Sequence, residues 1–172
     1  MKEDEMFTIR EERHGEAAAI RALHESAFQQ PTEAAIVDQL RSRCPQRVSI
    51  VATERNRIVG HLLFSPAGFD STIGMGLAPM AVLPEFQRRG IGSALVRSGI
   101  GQLEEQGVPF IVVLGHPQFY RKFGFVPGSN HAIQCQWPGI PEEAFLIRIL
   151  DRKIMEDRRG TIFYREEFNS AV

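Results

Sequence analysis

Residues 77–114 constrain this chain more than any other stretch. An apolar run at 77–83 leads into the turn Pro84-Glu85-Phe86-Gln87-Arg88-Arg89, and from Gly90 to Gln106 the residues Ile91, Leu95, Val96, Ile100 and Leu103 recur at helical spacing. Residues 108–114 are again apolar and rich in Val and Ile, as in a strand buried on both faces. Strand, helix, strand in that order is a crossover connection, so the fold class is α/β (α+β). Pro79 stands inside the first of these strands, where it removes a ladder donor and marks a defect in the pairing.

Around this unit the pattern predicts further elements. Phe7 and Ile9 alternate with polar neighbours in a strand at 6–10, and a helix follows between Gly15 and Phe28. A second helix opens after Pro31, with Thr32 as its cap, and ends at Pro45. Residues 48–53 and 58–64 read as two antiparallel strands joined across Glu54-Arg55-Asn56-Arg57. A short helix at 117–123 and strands at 145–150 and 160–164 complete the list, with 126–143 read as a long loop rich in Pro and Gly. Without a repeat or a linker, residues 1–172 read as a single domain.

Composition narrows the function. A chain of 172 residues buries about two thirds of its unfolded surface without disulfides or a structural metal. Cys44 and Cys135 have no metal-binding or redox spacing, and His14, His24, His61 and His131 lack ligand spacing, so no metal is assigned. Twenty basic against 21 acidic side chains provide no broad positive field, which argues against nucleic acid as a partner. No apolar run reaches the roughly 20 residues of a membrane span, and the expected location is cytoplasmic.

The chemistry concentrates where the strand meets the helix. A helix start carries unpaired N–H groups and the positive end of the helix dipole, and Gly90 and Gly92 let an anion approach that backbone closely. Arg88 and Arg89 add cations at the same mouth. The spacing fits neither a dinucleotide fingerprint, which wants a small residue where Leu95 stands, nor a P-loop. The plain alternative is an ordinary glycine turn that starts a helix.

The run Gln87-Arg88-Arg89-Gly90-Ile91-Gly92 followed by Phe119-Tyr120-Arg121-Lys122-Phe123-Gly124-Phe125 resembles the GCN5-related N-acetyltransferase (GNAT) superfamily. The segments Gly60-His61-Leu62-Leu63-Phe64-Ser65, Leu114-Gly115-His116-Pro117 and Gly160-Thr161-Ile162-Phe163-Tyr164 extend the likeness to its YhbS-like branch, from the second helix to the last strand. The resemblance implies the GNAT fold: a mixed central sheet splayed between its fourth and fifth strands, flanked by about four helices. It further implies acetyl-CoA as acyl donor, with no metal, and transfer of the acetyl group to a primary amine by direct attack on the thioester.

By that pattern the backbone of Met80, Ala81 and Val82 pairs with the pantetheine arm as an added strand would, and Gln87, Arg88, Arg89, Gly90, Ile91, Gly92 and Ser93 hold the diphosphate. Tyr120 is both a cofactor contact and the acid: its ordinary pKa near 10 lies above that of a thiol near 8.5, so it can protonate the departing thiolate. A lysine-like amine is neutral at pH 7 only at a cost of roughly 4.6 kcal/mol, so a base helps, and His116 and Glu25 are the catalytic candidates, with Glu33 behind them. Each has a plainer reading: Tyr120 as packed aromatic, His116 as loop cap, Glu25 and Glu33 as helix-surface acids, Trp137 as loop anchor rather than acceptor-pocket wall. The acceptor is a small-molecule or peptide amine, and pairing into a homodimer is open to such a domain. The alternative function is a CoA or acyl-CoA binding regulatory module that does not turn over.

Overall fold

In a computed structural model, which describes residues 7–69 and 71–171, the strands and helices follow the hydrophobic pattern closely. In chain order they are β1 (Thr8–Glu11), α1 (Ala17–Phe28), α2 (Thr32–Arg43), β2 (Val48–Glu54), β3 (Arg57–Phe69) and β4 (Thr72–Val82). The crossover helix α3 (Ile91–Glu105), β5 (Phe110–Leu114), α4 (Pro117–Tyr120), β6 (Val126–Pro127) and β7 (Ile133–Cys135) come next. The chain ends with β8 (Phe145–Ile149), α5 (Arg152–Met155) and β9 (Gly160–Ile162). Part of the first predicted strand, residue 6, lies outside the described residues.

The chain divides into two compact units, and the long strands β3 and β4 each contribute to both. The described residues of the first unit are 7–64 and Pro79–Ile100, with Ala171. In it β1, β2 and β3 pair antiparallel, and β3 and β4 meet where the Leu83 N–H donates to the Val59 carbonyl at 2.9 Å. The turn between β2 and β3 is two residues long, with Arg55 and Asn56 at φ 48° and 65°, the paired left-handed geometry that matches strand twist. Ile20, Leu23, Ile36, Val37 and Leu40 form the buried stripes of α1 and α2.

The second unit comprises Ser65–Ala78 and Gly101–Ser170. Here β4 pairs with β5 in parallel, β5 with β8 and β8 with β6 antiparallel, so the sheet is mixed. The parallel pair has two registered positions, Met75 with Ile111 and Gly76 with Val112, whereas all five residues of β5 pair with β8. Val113 and Leu114 therefore have no partner on the β4 side among the described residues. The sheet opens there, between the fourth and fifth strands as the resemblance implied.

Two expectations need correction. Thr32 is the first helical residue of α2, Pro31 occupies the cap position, and no side chain caps the helix. The segment 126–143 is not one loop: β6 pairs with β8, and β7 pairs in parallel with β9. Elements of two and three residues are too short to carry a period, and their pairing is decided by partners distant in the sequence.

Candidate functional site

The strand-to-helix turn sits entirely in the first unit. After Val82 a single 3-10 turn, Pro84–Phe86, redirects the chain, and the Gln87 side-chain amide reaches back to donate to the Val82 carbonyl at 3.1 Å. Arg88 and Gly90 then take left-handed conformations, φ 62° and 82°. The Ala94 N–H donates to the Gly90 carbonyl at 3.0 Å in the first turn of α3, so the amides of Ile91, Gly92 and Ser93 head the helix with no acceptor inside it. The space beside Gly90 is open, with nothing within 4 Å of where a Cβ would stand.

What holds this turn in place is beneath it. Ile91 is buried, and a Cβ on Gly60 of β3 would lie 2.9 Å from Ile91 Cγ2 and 3.1 Å from Leu95 Cδ1. The absent side chain at Gly60 lets the Ile91 and Leu95 side chains settle closely on β3. The two arginines differ. Arg89 pairs with Glu54 at 2.8 Å and lies over the Phe86 ring at 4.9 Å, and Arg88 is exposed. Of the strand residues leading in, Ala81 is buried, while Met80 and Val82 are half-buried.

Tyr120 and His116 belong to the second unit. His116 directly precedes α4, and its carbonyl accepts from the N–H groups of Phe119 and Tyr120. The His116 side chain is exposed and makes no cap hydrogen bond. Tyr120 is 7% exposed, with Phe119 edge-on at 4.9 Å and Phe125 at 5.5 Å. Any side chain at Gly115 would collide with the Tyr120 ring. Burial pushes the phenol up to about 12, so it stays protonated through the neutral range.

Glu25 is exposed on α1 and paired with Arg21 at 3.0 Å. Glu33 accepts from the Gln30 side-chain amide at 2.9 and 3.1 Å. Among the described residues no three His, Cys, Asp or Glu side chains gather into a group able to hold a metal ion, and no helix is long and apolar enough to cross a membrane.

Two polar features escaped the sequence reading. A hydrogen-bonded chain runs from the buried His24 and His61 through the half-buried Ser49 to Glu12, with 2.7 Å between His24 Nε2 and His61 Nδ1 and 2.8 Å between His61 Nε2 and the Ser49 hydroxyl. In the second unit the Tyr164 hydroxyl is buried without a partner. The only sequence signal for the first was a histidine on the apolar stripe of α1 and another amid the apolar run of β3. Tyr164 entered the sequence reading as the end of a strand and of a segment that carries the family resemblance, with no role of its own.

Residues 45–127 match the acetyltransferase (GNAT) domain model. The chain is 33% identical over 157 residues to the uncharacterized N-acetyltransferase YhbS of Escherichia coli, covering 90% of this chain and 93% of that one. It is 36% identical over 144 residues to the uncharacterized N-acetyltransferase YjhQ of the same organism, covering 80% and 79%. Among solved structures, that of E. coli YhbS in complex with CoA aligns with a TM-score of 0.92 at 31% identity, over 98% of this chain and 95% of that one. A GNAT family acetyltransferase from Brucella melitensis in complex with acetyl-CoA aligns at 0.79 with 32% identity, over 95% and 98%. On this identity and coverage, and with the turn and opened sheet described above, the chain belongs to the GNAT family of acetyltransferases.

Proposed function

We propose that the protein transfers the acetyl group of acetyl-CoA to a primary amine by direct attack, with no covalent enzyme intermediate. The observation that carries this reading is the turn before α3, where two left-handed residues bring three helix-start amides together beside an open Gly90. A diphosphate fits such a cradle because the amides and the helix dipole supply positive charge that needs no reorganisation. The exposed Arg88 adds a mobile cation, while Arg89, held by Glu54, acts by keeping the turn in shape. Met80, Ala81 and Val82 offer backbone to the pantetheine amides. The CoA and acetyl-CoA complexes of the two relatives support the same choice of donor.

Acetyl-CoA supplies a thioester: the amine nitrogen bonds to its carbonyl carbon, the carbon–sulfur bond breaks, and the sulfur departs as a thiolate. Backbone N–H groups near Val82 take the charge that develops on the carbonyl oxygen. Tyr120 gives the thiolate its proton, and its raised pKa keeps that proton available. His116 and Glu25, with Glu33 behind them, are the candidates to receive the proton lost by the amine, and a water relay without a dedicated base is the alternative. Glu25 is paired with Arg21 on the same helix.

Calorimetry with CoA and a thiol-release assay over a panel of amines test the reading together. Binding accompanied by amine-dependent thiol release supports it. Binding that never yields free thiol above the buffer rate makes the protein a CoA-responsive regulator instead.

A further inference from the structure

The turn that carries Tyr120 is held by a guanidinium from β8. Residues 117–123 form one continuous helical stretch, α4 followed by a 3-10 turn at Arg121–Phe123, and Gly124 closes it in the left-handed region at φ 83°. The last carbonyls of so short a helix have no partner inside it. Here the Phe123 carbonyl accepts from Arg148 Nη1. A Cβ on Gly124 would stand 2.5 Å from that same nitrogen, so the guanidinium occupies the place a side chain would take.

Arg148 is itself well anchored. Its backbone is registered with Ile111 of β5, one position beyond the last pair of β8 with β6, Ile147 with Val126. Its Nη2 lies 3.2 Å from Glu104 on the last turn of α3, and Nε is buried with no partner. Carboxylate, guanidinium and turn all belong to the second unit. Glu104 is exposed, so the ion pair contributes little, and the charge-assisted bond to the Phe123 carbonyl is the stronger tie.

What this tie holds is a group of rings. Phe123 and Phe125, on either side of Gly124, are 4% and 2% exposed. Phe125 meets Tyr120 edge-on at 5.5 Å, while Phe123 meets Phe119 at 5.2 Å and Phe119 meets Tyr120 at 4.9 Å. The Phe125 N–H also donates to the Tyr120 carbonyl at 3.4 Å. Removing the guanidinium leaves the Phe123 carbonyl without its donor and opens space beside Gly124 to water, and the rings around Tyr120 lose their backbone anchor.

We propose that Arg148 is a positioning residue for acetyl transfer: it pins the turn 117–125 so that the Tyr120 hydroxyl stays where it can protonate the departing thiolate. The proposal rests on the reading of Tyr120 as the acid and adds the residue that places it.

Phenol ionisation, followed by ultraviolet difference absorbance, reads the setting of Tyr120 without any acceptor, because the chain has two tyrosines, Tyr120 and Tyr164. Burial holds Tyr120 up to about 12 and pushes Tyr164 well up too, so the wild type should release almost no phenol proton by pH 10.5. Arg148→Met keeps the stem and removes the guanidinium. It should bring one phenol down to near the ordinary 10, with circular dichroism at the same pH showing the fold intact, and that phenol should vanish when Tyr120→Phe is added. Arg148→Lys keeps a donor for the carbonyl but leaves the space beside Gly124 partly empty, so it falls between the two and keeps the test readable if the methionine variant does not fold. In thiol release from acetyl-CoA with the amines that the wild type accepts, Arg148→Met lowers kcat about tenfold, changes KM for acetyl-CoA by about twofold at most, and has no further effect once Tyr120 is replaced by Phe. A wild-type phenol titration in both Arg148 variants, or a kcat loss of equal size with and without the Tyr120 hydroxyl, overturns the proposal. Thiol release that Tyr120→Phe leaves unchanged overturns instead the reading of Tyr120 as the acid, and Arg148 then anchors a ring that only packs.

Discussion

His24 Nε2 and His61 Nδ1 lie 2.7 Å apart in the interior of the first unit, and the direction of their hydrogen bond is fixed by a carboxylate two partners away. Glu12, paired with Arg41 at 2.7 Å, can only accept, so Ser49 donates to it. Ser49 must then accept from His61 Nε2–H, and His61 Nδ1 from His24 Nε2–H. The lone pair on His24 Nδ1 is left at the end of this sequence, buried and without a partner.

Acid should therefore weaken the fold. Burial holds His24 down at about 4, against an ordinary 6.5, and keeps His61 well below its ordinary value. Folded-state values below the unfolded ones mean that the unfolded chain binds more protons, so the stability is complete above pH 6.5 and is lost as pH falls toward 4. His24 alone accounts for about 3 kcal/mol over that window. Urea unfolding at pH 7, 5.5 and 4.5 measures it, and a midpoint that does not move between 7 and 4.5 contradicts the buried neutral pair.

Replacing His61 by Leu strands the donor of His24 and one hydrogen bond of Ser49. The expected loss is about 2–3 kcal/mol in unfolding free energy at pH 7, together with a shallower decline in acid, because one of the two depressed groups is gone. A steeper acid decline in the variant would assign the pH sensitivity elsewhere.

At Gly90 the positive φ and the open surroundings act separately. Gly90→Val forces a branched residue into the left-handed region at roughly 1–2 kcal/mol, yet meets no neighbour, so the fold survives. CoA affinity by calorimetry should fall more than tenfold, since the added side chain occupies the approach to the amides. An affinity equal to wild type would move the diphosphate to another part of the molecule.

Tyr120→Phe keeps the aromatic packing with Phe119 and Phe125 and deletes only the acid. Thiol release should drop about 100-fold in kcat with CoA affinity retained. Equal losses in kcat and in CoA binding would mean that Tyr120 serves as packing.

Tyr164→Phe removes a buried hydroxyl that has no partner, so the protein should be as stable as wild type or up to about 1 kcal/mol more stable by chemical denaturation. A clear destabilisation would show that the hydroxyl is satisfied in solution.

The crossover and its turn were legible because both are local. Ile91, Leu95, Val96 and Leu103 repeat along one helix face, and residues 87–93 carry their chemistry in consecutive backbone groups. What escaped was non-local. His24 and His61 are 37 positions apart and become a pair only when α1 packs on β3. β7 and β9 are elements of three residues each whose parallel pairing no periodicity announces. Glu25 is the intermediate case: its place on α1 and its i,i+4 pairing with Arg21 are local, but Arg21's second partner, Asp38 on α2, is met only when the helix pair forms.

Gly60 has a consequence for how this protein can change over evolutionary time. Because the start of α3 is seated on a residue that has no side chain, the position of the helix start is partly encoded in the interior, in a strand beneath the turn. A single methyl added at that position would press on the Ile91 and Leu95 side chains at 2.9 and 3.1 Å, so the seating of the helix start is sensitive to a mutation no surface map would flag.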